Sequence, residues 1–481
     1  MNIAILLPYK ENFIKKRAGA VSIFVSDTTK LSNYKKNIKV YGYTSYENKL
    51  KNYINLYIRK KFLRSTSLQY LNKFLVKIKD IKIDIIEVHN RPNYINFLDK
   101  NHKSKKILYF HNDPKKMLGS RTISERINLL KKTDTLIFNS NWTKLRFLEN
   151  LPNNIDYKKI IIIPQCTSKT KINFDKKKNL ISFIGKLNKA KGYDIFGKSV
   201  LKILDKYPNW KSVVIGDERR EKIFFKHKNL KFLGYKSNSY ILNKLKEVAI
   251  SVVPSKWDEP FGRSSMEAAS RGSALIISNS GGLSETTKNS LVIKNVTVDN
   301  LYKKIKYLID NKQYRKKLQQ SAHKNFILTN KHSSNLFDTL RSSLLTKNIN
   351  INFNKNEKLK IFHITNFNER FNGRLHYNTS KRINNGLIKL GHNVFSISDR
   401  DVIYNYKSLV DPSGKNILNN KIIESCKNFN PDTIIMGHAD SVKTETLDYL
   451  KNKNKNLKIC QWFLDPITKY GPDYVNNKNR L

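Results

Sequence analysis

Residues 251–285 read SVVPSKWDEPFGRSSMEAASRGSALIISNSGGLSE, and this stretch decides the fold. Ile250 to Pro254 is a short β-branched run closed by proline, which predicts a buried strand. Ser264 to Ala269 is small and helix-forming, with serine at hand to cap it. Ala274 to Ile277 predicts the next buried strand, and Gly281-Gly282 a turn beyond it. Strand, loop, helix and strand in that order form one crossover of a parallel sheet.

The same stretch carries chemistry. Glu259 and Glu267 stand eight positions apart (267 − 259 = 8), with Pro260-Phe261-Gly262 between them. Gly262 lets backbone approach a ligand where the helix begins. Free N–H groups and the positive helix end there favour a phosphate. Glu267, on the helix, can accept hydrogen bonds from a ribose diol, as acidic residues do in dinucleotide sites. Glu259, in the loop, is free to meet a sugar, and Gly281 and Gly282 bring backbone to the same ligand. Phe261 and Arg263 complete the donor-binding set. Together these features predict a site for a nucleotide carrying a sugar.

Working outward, strands alternate with helices along the chain. Strands are predicted at residues 3–7, 38–42, 83–89, 106–111, 135–140 and 160–164, with a helix over 20–32 and a basic helical stretch over 50–80. A second series runs through 180–185, a helix near 194–207, 212–216, 230–234 and the opening stretch, and ends in helices over about 298–345. This predicts an α/β chain of Rossmann-like domains, with ligands beyond the carboxyl ends of the strands. The expected boundaries are 1–170, an N-terminal acceptor-side domain; 171–345, a sugar-nucleotide-binding domain; 346–357, an Asn- and Lys-rich linker; and 358–481, a further α/β domain. In the last, Asn372-Gly373-Arg374 is expected just before a helix.

Composition sets the outer limits. Lys plus Arg number 91 and Asp plus Glu 38, a formal net charge of +53 in 481 residues. Such a field attracts nucleic acid, anionic membrane or anionic polymer. The charge is diffuse and no nucleic-acid module is evident, so an anionic membrane surface or acceptor is favoured over nucleic acid. Three well-separated cysteines, Cys166, Cys426 and Cys460, argue against a disulfide scaffold and a structural zinc, and suit a reducing cytoplasm. The N-terminus MNIAILLPYK reads as a strand rather than a signal peptide. No run approaches the ~18 apolar residues of a membrane span, so the expected location is cytoplasmic or peripheral on the inner membrane face.

The segment Glu259-PFGRSSM-Glu267 with Gly281-Gly282-x-x-Glu285 resembles the E-x7-E signature of the retaining GT-B glycosyltransferases of family 4. The resemblance implies two Rossmann-like domains facing a cleft, the third domain being similar to an incomplete GT-B N-terminal half. Gly185 to Gly192 then corresponds to the loop whose two cations clamp the donor diphosphate. Lys191 matches; Lys186 stands where arginine is usual, keeping charge without the bidentate fork. Gly19, before the first helix, falls where the family brings glycine close to the diphosphate. His111, in Phe110-His111-Asn112-Asp113-Pro114, is implied at the reacting centre, and His89, Asn90 and Arg91 on the acceptor side. Ser140 and its neighbours match a strand end expected to be structural.

By the same resemblance no side-chain nucleophile is needed: the leaving phosphate takes the acceptor's proton, while Glu259 positions the sugar and stabilises charge. No metal or other cofactor is expected, the nucleotide-sugar being a substrate. Asp399-Arg400-Asp401 is similar to a GT-A metal motif but lies outside such a context. The implied activity moves a hexose-type sugar from a nucleotide-sugar to a glycan or lipid-linked acceptor, in cell-surface polysaccharide or lipopolysaccharide synthesis. The alternatives are a GT-B-fold sugar-nucleotide epimerase and a non-catalytic polyanion-binding scaffold.

Overall fold

The structure is a computed structural model and describes residues 1–14, 18–46, 50–58, 65–152, 157–345, 358–371, 378–454 and 456–465. The expected linker 346–357 and Asn372-Gly373-Arg374 lie outside the described residues. The chain divides into two compact units, residues 1–347 and 348–481.

The first unit holds two parallel sheets. Runs of β-branched and aromatic residues supply the strands of the first: β1 (Ile3–Leu6), β2 (Ile38–Gly42), β3 (Tyr53–Asn55), β4 (Ile85–His89), β5 (Lys105–Phe110), β6 (Thr135–Phe138) and β7 (Ile160–Ile162). Their order is β3-β2-β1-β4-β5-β6-β7, with Ile3 opposite both Ile38 and Ile85. The crossovers are α1 (Ala20–Leu31), α2 (Thr66–Ile78), α3 (Ile95–Asn101), α4 (Ile123–Lys132) and α5 (Asn141–Leu148). Capping boxes start two of them, Thr122 with Glu125 on α4 and Ser140 with Thr143 on α5.

Residues 50–80 depart from the helical expectation. Tyr53-Ile54-Asn55 pairs with Val40-Tyr41-Gly42 as an edge strand, and among the described residues of this stretch only Thr66–Ile78 is helical. Aromatic packing overrides the polar surroundings here, because the Tyr53 ring stacks on Phe13 at 5.4 Å.

The second sheet has β8 (Lys178–Ile184), β9 (Lys211–Ile215), β10 (Leu230–Phe232), β11 (Val248–Val253), β12 (Ala274–Ser278) and β13 (Ser290–Ile293), in the order β10-β9-β8-β11-β12-β13. Its helices are α6 (Tyr193–Lys206), α7 (Asn238–Leu245), α8 (Arg263–Ser270), α9 (Val298–Asp310) and α10 (Lys312–Lys324). On α6, Phe196, Val200, Ile203 and Leu204 form the buried stripe expected of helical spacing.

The final helix of this unit, α11 (Asn330–Leu345), crosses back to the first sheet. Phe337 joins the core of Ile3, Ile5, Phe24 and Val25, with Leu336, Leu340 and Leu344 packed around it. Arg341, fully buried, donates to both carboxylate oxygens of Glu87 on β4, at 2.6 and 2.9 Å, and to Asp338 at 3.2 Å. Residues 330–345, read in sequence as the end of the second series, are thus packed into the core of the first.

The second unit is a four-stranded parallel sheet, order β15-β14-β16-β17, from β14 (Lys360–Thr365), β15 (Asn393–Ser398), β16 (Thr433–Gly437) and β17 (Lys458–Trp462). Helices α12 (Thr379–Lys389), α13 (Asp399–Tyr406), α14 (Lys415–Phe429) and α15 (Thr444–Lys453) complete it. The Asp399-Arg400-Asp401 triplet is engaged in its own loops. Asp401 accepts the Glu369 N–H at 2.9 Å and the Ser398 hydroxyl, and Arg400 pairs with Asp440 at 2.9 Å.

Candidate functional site

The loop after β11 is fixed by two glycines. Gly262 caps α8 at φ 104°, where a Cβ would strike Leu283. Gly281, after β12, has φ 61°, and a Cβ there would meet Glu259 N at 2.7 Å and its carbonyl oxygen closer still. Both conformations suit glycine alone. They let Glu259 bridge to Gly281 and accept the Gly282 N–H at 2.7 Å. Phe261 anchors the loop from inside the core beside Met266 and Leu283, its ring 3% exposed.

On this frame the charged groups pair with one another. Lys191 Nζ lies 2.6 Å from Glu259 Oε1, although the two are brought in by separate strand-end loops. Asn188 holds the Lys191 backbone by accepting its N–H at 3.0 Å. Lys186 is exposed on the same loop. Glu267 Oε1 accepts from Arg263 Nε at 3.0 Å, Arg263 Nη2 at 2.8 Å and Asn238 Nδ2 at 2.7 Å. Arg263 Nη1 is buried and without a hydrogen-bond partner among the described residues. Two cations and two carboxylates thus stand at the C-terminal ends of the second sheet and the start of α8, where an anionic ligand is favoured.

Two contacts join this rim to the first sheet. Ser140 Oγ donates to the Pro260 carbonyl at 2.6 Å, beside Gly282. Glu285 accepts the Asn141 and Trp142 N–H groups at 2.6 and 2.8 Å, capping α5 from across the cleft. Ser140 and Glu285, both part of the sequence motifs, thus tie the start of α5 to the loops of the second sheet.

The strand ends of the first sheet carry the histidines. His111 follows β5 and His89 ends β4; their facing nitrogens, Nε2 and Nδ1, are 3.0 Å apart. Gln165 Nε2 lies 3.1 Å from His111 Nδ1. If the Gln165 amide donates, His111 carries its proton on Nε2 and gives it to His89 Nδ1. His89 Nε2 then bears a proton without a partner among the described residues. Burial first, and then the Arg341 charge, hold the His89 imidazole down at about 3. Burial first, and then the neighbouring His89 ring and the Arg263 charge, also hold His111 well below the ordinary imidazole value. Both rings are therefore neutral at pH 7.

Asn90, at φ 56°, accepts the N–H groups of His111 and Asn112 at 3.1 and 3.2 Å. Arg91 donates to the Asn90 carbonyl at 2.8 Å. His89 and Asn90 are 1% and 5% exposed, so they support His111 from behind, whereas Arg91 is partly exposed. Gly19 caps α1, as expected, and the carboxylate of Glu11 lies against it, accepting the Ser22 N–H at 3.2 Å.

Sequence reasoning missed Gln165, Asn238 and Glu11. Gln165 and Asn238, the latter at the start of α7, meet partners 54 and 29 positions away, Glu11 lies in a loop 11 positions from its partner, and none belongs to the signature. All three cysteines are free thiols. Among the described residues no helix is long and apolar enough to cross a membrane.

Residues 165–325 match the family described as glycosyl transferases group 1. The putative glycosyltransferase YtcC of Bacillus subtilis (strain 168) is 25% identical over 309 residues, covering 56% of this chain and 75% of that protein. Sucrose-phosphate synthase from Thermosynechococcus elongatus is similar in structure, with a TM-score of 0.58 at 14% identity, covering 72% of this chain and 99% of that one. HepE from Anabaena, solved in complex with UDP-glucose, gives 0.56 at 13% identity, covering 71% and 99%. The structural likenesses speak to the fold, which is that of the GT-B glycosyltransferases, and the group 1 match places the glycosyltransferase signal on the half that carries Lys191, Glu259 and Glu267.

Proposed function

We propose that the chain transfers a hexose-type sugar from a nucleotide-sugar to a hydroxyl of a glycan or lipid-linked acceptor, with retention at the anomeric carbon. The observation that carries this reading is the meeting of Lys191, Glu259 and the Arg263–Glu267 pair on the rim that faces His111. Glycosyl transfer passes through an oxocarbenium-like state and needs cations on the leaving diphosphate. Lys191, released from Glu259, supplies one, and Lys186 on the same loop a second. Glu259, relieved of Lys191, lies beside the sugar, and Glu267 takes the ribose diol. The leaving phosphate oxygen accepts the acceptor's proton, so no protein nucleophile is invoked and the neutral His111 serves a sugar hydroxyl.

A uridine diphosphate sugar, of the kind bound by HepE, is the first donor to test. Acceptors in cell-surface polysaccharide or lipopolysaccharide suit the +53 charge, which would also hold the protein at the anionic inner face of the membrane. The test is donor consumption measured with a panel of UDP-, GDP- and ADP-sugars. Nucleotide release that depends on an added acceptor supports the reading, and indifference to every donor overturns it.

A further inference from the structure

An exposed aromatic side chain on the rim of the cleft has no part in the donor chemistry. Trp257, two residues before Glu259, is 42% exposed, large for an indole. Its backbone is fixed on the lysine loop, for its N–H donates to the Ala190 carbonyl at 3.0 Å and its own carbonyl accepts from Ser255 Oγ at 3.0 Å. From the opposite sheet, Lys116 Nζ lies over the ring, 4.7 Å from its centroid. Lys116 ends the one-turn helix Pro114–Lys116, five residues after His111, and this turn is pinned by Asp113, which accepts the Lys115 N–H at 3.1 Å.

Neighbouring lysines already have carboxylate partners: Lys115 with Glu149 at 2.8 Å, Lys256 with Asp194 at 2.8 Å and Lys191 with Glu259 at 2.6 Å. Lys116 has no carboxylate at salt-bridge distance among the described residues, and its contact with the indole is an exposed, weak one.

We propose that Trp257 and Lys116 form the acceptor subsite, which takes a pyranose ring bearing an anionic substituent. The C–H face of the sugar packs on the indole, and its carboxylate or phosphate draws the Lys116 ammonium off the ring. The position, flanked by Glu259 on one wall and His111 on the other, sets the acceptor hydroxyl toward the donor. This proposal rests on the donor-site reading above and adds the acceptor's chemical class to it.

The test is calorimetric titration of the full-length protein, saturated with whichever nucleoside diphosphate it binds, using methyl β-D-glucuronide, glucose 6-phosphate and methyl β-D-glucoside. At least one anionic sugar should bind about fivefold or more tighter than the neutral glucoside. Lys116→Gln should erase that preference and leave glucoside binding unchanged. Trp257→Ala should weaken all three sugars about fivefold or more, with nucleotide affinity in both variants within about twofold of wild type. A preference for glucuronide identifies a carboxylated glycan, and one for glucose 6-phosphate a phosphate-bearing acceptor. Equal binding of charged and neutral sugars, a preference that survives Lys116→Gln, or no sugar binding at all overturns the subsite. Absence of nucleotide binding overturns the donor-site reading instead, and the sugar titrations on the free protein then decide the subsite separately.

Discussion

Lys191 Nζ and Glu259 Oε1 are 2.6 Å apart, so the cation assigned to the diphosphate and the carboxylate assigned to the sugar are partners. A donor must separate them, and its phosphates must outcompete a carboxylate for the ammonium. The pair therefore brings both groups to one place on the rim.

Lys191→Ala and Glu259→Gln should each lower kcat/KM by on the order of 100-fold, the scale of one preorganised electrostatic contact. Lys191 is 31% exposed and Glu259 9%, and a pair so near solvent contributes about 0–1 kcal/mol to stability. Circular dichroism and melting temperature should therefore stay near wild type. Normal turnover in both variants would remove the site assignment.

Arg341→Met should be severely destabilising, by about 3–5 kcal/mol, because it leaves Glu87 and Asp338 buried without their cation. Urea unfolding measures this directly. A loss below about 1 kcal/mol would mean that apolar packing of α11, through Phe337, holds the helix without the ion pair.

The neutral histidines make stability depend on acid. Burial keeps the folded His89 at about 3 and His111 well below its usual value, while unfolded imidazoles titrate near ~6.5. Below that point the unfolded chain binds protons that the folded chain refuses. The stabilisation is complete above pH ~6.5 and is lost as pH falls toward 3, at about 1.4 kcal/mol per pH unit for each ring. His89→Gln removes one such titration, so its stability loss between pH 7 and 5 should be smaller than wild type's by about 2 kcal/mol. Equal losses would show that the His89 ring charges freely in the folded chain.

A chain ending at Lys347 should fold and keep nucleotide binding, since residues 1–347 form one compact unit with α11 inside its core. Calorimetry on the shortened chain checks this. Loss of nucleotide binding with intact circular dichroism would give residues 348–481 a part in the donor site.

Local pattern foretold the sheets well, because runs such as Ile85–His89 and Ala274–Ser278 are buried on both faces and spell continuous apolar stretches. The glycines at 262 and 281 were equally legible, since their backbone angles exclude other residues. What escaped was long-range. The short strand Tyr53–Asn55 owes its existence to Phe13 and Val40, and α11 finds its partner Glu87 some 254 positions away. His89 and Asn90 looked ligand-facing by motif, yet their side chains turn inward to orient His111. Gln165 could be found only once the fold had brought it against that ring.

The central claim is that the Lys191–Glu259 rim is a nucleotide-sugar donor site. Thermal shift of wild-type and Lys191→Ala protein with UDP, GDP and ADP tests it most directly, because a ligand that binds the folded chain raises its apparent stability. The account predicts that one nucleoside diphosphate raises the wild-type melting temperature by several degrees and that Lys191→Ala loses most of the rise. A wild-type protein indifferent to all three, or a variant that responds as fully as wild type, would contradict it.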